Sequence, residues 1–150
     1  MNRLARRAVA APIAIACLGG ALAAAPATAA TPLPGTYVAP KRAVQLGYDL
    51  QFVVTRGTPR IARLRARVLE SCSGSTVSQV TTIGPRLTWA VRGGRFAGRQ
   101  RERYDGITVY TTLEGRFTDA RTAKGIVRQE TIVAGSTCDT YALRFMAKRR

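Results

Sequence analysis

From Ala62 to Val68 the chain sets small or aliphatic residues one for one against Arg63, Arg65 and Arg67. Such a period of two belongs to a β-strand, whose successive side chains leave on opposite faces. It predicts Ala62, Leu64, Ala66 and Val68 facing a core and the three arginines in a row outside. Cys72 shares the parity of the core set.

The same period recurs along the chain. Tyr48, Leu50, Phe52 and Val54 alternate with Asp49, Gln51 and Thr55. Ile107, Val109, Thr111 and Leu113 alternate with Thr108, Tyr110, Thr112 and Glu114, and Phe117 continues the first set. Further strands are expected over Thr76–Ile83, Leu87–Val91 and Gly125–Val133, with Tyr141, Leu143, Phe145 and Ala147 as the inward face of the last. Between these runs lie turn signals at Arg56–Pro59, Gly84-Pro85, Gly93-Gly94, Asp105-Gly106 and Asp119–Lys124, and a loop over Ala134–Asp139 holding Cys138. No segment reads as a helix. The expected class is all-β: an antiparallel sandwich or a closed meander β-barrel of about eight strands.

The first thirty residues have a different character. Arg3, Arg6 and Arg7 precede an apolar, Ala-rich run from Ala8 to Ala25, and Ala27-Thr28-Ala29 supplies the small residues of a cleavage site. Pro12, Gly19, Gly20 and Pro26 interrupt the run, which argues for a secretory signal over residues 1–30 and against a membrane anchor. Residues 31–34, with two prolines, read as a short linker, and 35–150 as a single β domain. Removal of the signal takes away three arginines and no acid, lowering the net charge from +16 to +13. It also removes Cys17 and leaves Cys72 and Cys138, an even pair in an exported chain, read as one disulfide. The long loop so closed corresponds to about 4 kcal/mol in the chain-entropy account. The expected location is extracellular, secreted or associated with the cell wall, as a monomer with no transmembrane segment.

Short motifs are distributed over most of the domain: Gly35-Thr36-Tyr37, Glu70-Ser71-Cys72, Gly94-Arg95-Phe96, Leu113-Glu114-Gly115-Arg116-Phe117 followed by Ala123-Lys124-Gly125, and Cys138-Asp139-Thr140 with Phe145-Met146-Ala147. In these the chain resembles a family of small exported actinobacterial proteins of unassigned function. It departs from that pattern where Tyr141 follows Cys138-Asp139-Thr140 in place of glycine. The resemblance implies an all-β, disulfide-linked domain and no activity. Gly-Arg-Phe also occurs twice, at 94–96 and 115–117, a match short enough to read as common turn chemistry rather than as a repeat.

Composition restricts the chemistry. With no histidine, a Ser-His-Asp triad, a Cys-His pair and a His-ligated metal are all excluded. Ser71, Ser73 and Ser75 have no base at a catalytic spacing, and the lysines occupy no S-x-x-K motif. The acid pairs Glu102 with Asp105 and Asp119 with Glu130 are read as partners of surface arginines rather than as a glycosidase pair. We expect no catalytic residue, metal or cofactor.

The arginines are concentrated instead. Eleven lie between Arg56 and Arg103, against only Glu70 and Glu102. Arg63, Arg65 and Arg67 form one alternating row, and Arg99, Arg101 and Arg103 a second. Placed on one sheet face, they would present guanidinium groups to phosphate or carboxylate, as on a cell-wall polymer, nucleic acid without specific recognition, or anionic lipid. The competing uses are plain solubility and the protection of sheet edges by charge. Trp89 is assigned to the core rather than to stacking on a ligand. Two other binding roles fit a disulfide-linked β scaffold: a protease inhibitor presenting Arg92-Gly93-Gly94-Arg95, and a carrier enclosing an apolar ligand.

Overall fold

The structure is a computed structural model that describes residues 30–40, 49–73, 78–83 and 86–150. The signal segment up to residue 29, Tyr48, Ser75 and the Gly84-Pro85 turn lie outside the described residues. Among the described residues ten strands are formed: β1 (Gly35–Ala39), β2 (Leu50–Val54), β3 (Arg60–Cys72), β4 (Ser78–Ile83), β5 (Trp89–Ala90), β6 (Arg95–Tyr104), β7 (Ile107–Asp119), β8 (Thr122–Val133), β9 (Ser136–Asp139) and β10 (Leu143–Arg149). The protein is all-β. Every pairing is antiparallel, within one sheet whose order runs β10-β1-β2-β3-β9-β8-β7-β6.

Two long strands turn that order into a ring. On one edge β8 pairs with β7; on the other it pairs first with β10, over Thr122–Val127, and then with β9, over Glu130–Val133. β3 divides its edges similarly, with β2 and β9 on one and β4 and β5 on the other. The route β8-β10-β1-β2-β3-β9 therefore returns to β8. On the far side β5 joins β3 to β6, where the Trp89 indole N–H donates to the Gly98 carbonyl at 3.0 Å.

The turns follow from local chemistry. Gly93-Gly94, Asp105-Gly106 and Ala134-Gly135 each place two successive residues at positive φ (53° and 68°, 20° and 80°, 46° and 81°). Two-residue turns of this hand match the twist of the strands they join. The segment expected as a loop over Ala134–Asp139 is therefore a tight turn followed by β9. The tripeptides Gly94-Arg95-Phe96 and Gly115-Arg116-Phe117, read as common turn chemistry, pair with each other across β6 and β7. Arg95 stands opposite Arg116 and Phe96 opposite Gly115, and the Phe117 N–H donates to the Gly94 carbonyl at 2.8 Å.

Two expected side-chain directions change, each for a backbone reason. Arg63 has φ 51°, and the register against β2 slips there by one residue, Val53 facing Ala62 but Gln51 facing Arg65. This bulge puts Ile61, not Ala62, in the core, while Leu64, Ala66 and Val68 face inward as expected. Tyr141 was expected inward but is 67% exposed. Its N–H donates to the Asp139 side chain at 2.7 Å and it has φ 56°, so the chain turns there before β10 begins.

The core lies inside the ring. Five rings run through it in contact: Phe145 against Phe52, Phe52 stacked on Tyr37 at 5.3 Å, Tyr37 edge-on to Phe117, and Phe117 edge-on to Phe96. Leu50, Ile61, Leu64, Leu113, Val127 and Trp89 fill the remaining space. Residues 31–34, expected as a linker, lie against this body: Pro32 is buried and the Leu33 N–H donates to the Ala120 carbonyl at 2.9 Å. The Tyr37 hydroxyl sits 2.9 Å from the Leu33 carbonyl and 2.8 Å from that of Ala120, and burial raises its pKa.

Cys72 and Cys138 are bonded, as Cα partners of β3 and β9 separated by 66 positions. Beside them is a buried polar group. Glu70 is fully buried and accepts from the Gln129 amide at 3.0 Å and the Thr131 hydroxyl at 2.9 Å. The disulfide therefore joins β3 to β9 at the end of the ring where the interior is polar.

Candidate anion-binding faces

The bulge at Arg63 also shapes the outer surface. Arg63 and Arg65 are exposed and line one depression of about 540 Å³ with Thr36, Gln51, Phe52 and Val53. Arg67 is exposed farther along β3, its Cα opposite that of Thr82 in β4. Arg99, Arg101 and Arg103 are exposed on β6, with Thr112, Tyr110 and Thr108 of β7 as their Cα partners. Both rows belong to one sheet, but they do not meet as neighbours. Between β3 and β6 lie β9, β8 and β7 one way and β5 the other.

The surroundings of the six arginines differ. The Arg99 guanidinium lies 4.0 Å from the centre of the Tyr110 ring and 3.2 Å from Glu130. Arg128 extends this group, 4.0 Å from Glu130 and doubly hydrogen-bonded to Asp139. Its hydrogen bond holds the Asp139 carboxyl below the usual aspartate range, and Asp139 in turn raises the Arg128 pKa. Here cation and carboxylate neutralise each other. Among the described residues, Arg63, Arg65, Arg101 and Arg103 have no carboxylate within 4.0 Å.

The other sequence candidates take structural positions. Asp119 accepts from the Arg121 N–H at 2.7 Å, which lowers its pKa and closes the β7–β8 turn. Glu130 stands eight residues along β8 from that turn, roughly 26 Å away at strand rise, far beyond the separation of a glycosidase pair. The Ser73 hydroxyl accepts from the Thr137 N–H next to the disulfide. Arg92 and Arg95 exchange both backbone hydrogen bonds at 2.9 Å, so Arg92-Gly93-Gly94-Arg95 is a closed turn and not an extended loop. Trp89 is buried, as expected. Among the described residues no group of three His, Cys, Asp or Glu side chains could hold a metal ion, and no helix is long and apolar enough to cross a membrane.

One basic group was not singled out in the sequence. Arg95, Arg116, Lys124 and Arg144 line an open depression of about 510 Å³ over the backbone of Gly115 and Gly125. In the sequence its members lie apart, Arg95 and Arg116 in the two Gly-Arg-Phe tripeptides and Lys124 in Ala123-Lys124-Gly125. No family model, no curated protein and no solved structure matches this chain.

Proposed function

We propose that the protein is an exported, non-catalytic β domain that binds anionic polymer of the cell envelope through arginines on the outer faces of its sheet. The observation that carries this reading is the exposure of Arg63, Arg65, Arg101 and Arg103, with no carboxylate partner among the described residues, on a ring whose interior is already packed. Guanidinium groups held on strands keep their donors in fixed directions, which suits repeated phosphate or carboxylate groups. Arg67 and Arg99 extend the two rows. The disulfide supports an oxidising location outside the cell. The location, the signal over residues 1–30 and the monomeric state belong to this proposal.

The test is retention of the purified domain on immobilised wall teichoic polymer, nucleic acid or anionic vesicles across a salt series. Binding by counterion release gives a linear fall of log affinity with log salt. Absence of retention on all three at physiological salt would reject the reading.

A further inference from the structure

Four strands cross side by side beneath the depression at Gly115 and Gly125. The inward row there reads Phe96, Gly115, Gly125, Phe145, and the next outward row reads Arg95, Arg116, Lys124, Met146. Three cations thus stand directly opposite one another on three neighbouring strands, each pair about 5 Å apart at the backbone. Like charges in direct cross-strand register repel and destabilise the pairing. The other outward row contributes Arg144, across from Ile126.

Elsewhere on the same face the fold compensates its charge. Two rows along, Arg99 and Arg128 are matched by Glu130 and Asp139. Among the described residues, Arg95, Arg116, Lys124 and Arg144 have no carboxylate within 4.0 Å, and Glu114, opposite Ile126 in the adjacent row, makes no ion pair with them. Solubility would be served equally by cations scattered out of register. Convergence of four around one depression is the arrangement that a multiply charged oxyanion would stabilise.

We propose that Arg95, Arg116, Lys124 and Arg144 form a seat for a single phosphate-class dianion, either free or as the terminal phosphate group of a polymer. Arg95, Arg116 and Arg144 supply paired N–H donors and Lys124 a compact charge. A carboxylate would neutralise one of the four; a phosphate dianion neutralises two and offers enough acceptor oxygens for several donors. The seat rests on the reading of the outer faces as anion-binding, but uses none of the six arginines on β3 and β6 named above.

The experiment is an amide chemical-shift titration of the whole domain with inorganic phosphate and, separately, with polyphosphate, against sodium chloride at matched ionic strength. The seat predicts saturable shifts centred on Gly115, Gly125 and their neighbours with both phosphate probes and not with chloride. In Arg116→Gln/Lys124→Gln protein the apparent affinity should fall roughly tenfold or more, through loss of charge-assisted hydrogen bonds. Without phosphate that variant should melt no lower than the parent, because its substitutions remove repulsion; phosphate should raise the melting midpoint of the parent only. Arg63→Gln/Arg65→Gln/Arg67→Gln protein should keep the inorganic-phosphate shifts at Gly115 and Gly125. Chloride-like shifts, or an affinity unaffected by the double substitution, would overturn the seat. A phosphate response in a domain that no polymer retains would uphold the seat while rejecting the wider reading. Response to both probes assigns the seat to the phosphate group itself, and response to polyphosphate alone, whose in-chain groups carry one charge each, would overturn a seat for a dianion.

Discussion

Phe96 and Gly115 are direct cross-strand partners, and a Cβ built on Gly115 would come within 2.5 Å of the Phe96 ring. On the next strand Gly125 stands in the same relation to Phe145, at 2.9 Å. The two rings occupy the space that side chains at the two glycines would need, and so cover otherwise bare backbone from either side. Gly115→Ala should therefore destabilise the domain by about 3 kcal/mol, since the added methyl also meets the Lys124 carbonyl, which cannot move without disturbing the β7–β8 ladder. Urea unfolding of the variant measures it. A loss below about 0.5 kcal/mol would place the rings differently.

Tyr37 ties the start of the fold to the β7–β8 turn through the Leu33 and Ala120 carbonyls. Tyr37→Phe keeps the ring stack with Phe52 and removes only the hydroxyl. The expected cost is about 1 to 2 kcal/mol, accompanied by faster amide exchange at Leu33, whose N–H bonds to Ala120.

The bond between Cys72 and Cys138 constrains the unfolded chain over a separation of 66 positions. Reduction, or Cys72→Ala/Cys138→Ala, should lower stability by about 4 kcal/mol at most, the chain-entropy value. Non-reducing peptide mapping should find the pair linked and no alkylatable thiol between them.

Asp139 has a lowered pKa because Arg128 hydrogen-bonds its charged form. A depressed carboxylate contributes stability that is fully present above the ordinary aspartate range and is lost as the pH falls through the lowered value. Asp139→Asn keeps the acceptor for the Tyr141 N–H and removes the charge. Its melting midpoint should lie below that of the parent at neutral pH, and the difference should shrink as the pH falls below the ordinary aspartate range of about 4 and through the lowered value. A difference independent of pH would assign the effect to packing.

The period of two was enough to read the class and the core parities of β2, β3 beyond its bulge, and β7, because the inward positions there, Glu70 apart, carry an apolar residue or threonine. It could not reveal the slip at Arg63, since Ile61 and Ala62 are both acceptable in a core and only the pairing with β2 decides between them. It also missed β9 and the first residues of β8, where polar Ser136, Thr137, Thr122 and Lys124 hide the alternation. The arginine rows were legible as rows, but their separation was not, because it depends on β9, β8 and β7 lying between β3 and β6. Arg95, Arg116 and Lys124 were invisible as a group because their proximity exists only in the register of three strands.

If the outward arginines bind polyanion as a set, the log–log salt dependence of polyanion affinity must differ between the parent and Arg63→Gln/Arg65→Gln/Arg67→Gln protein. The slope should be shallower by roughly 2 to 3 in the variant, one counterion for each lost phosphate contact, with a melting midpoint changed no more than surface substitutions ordinarily change it. An identical slope in the two proteins would contradict binding as a set.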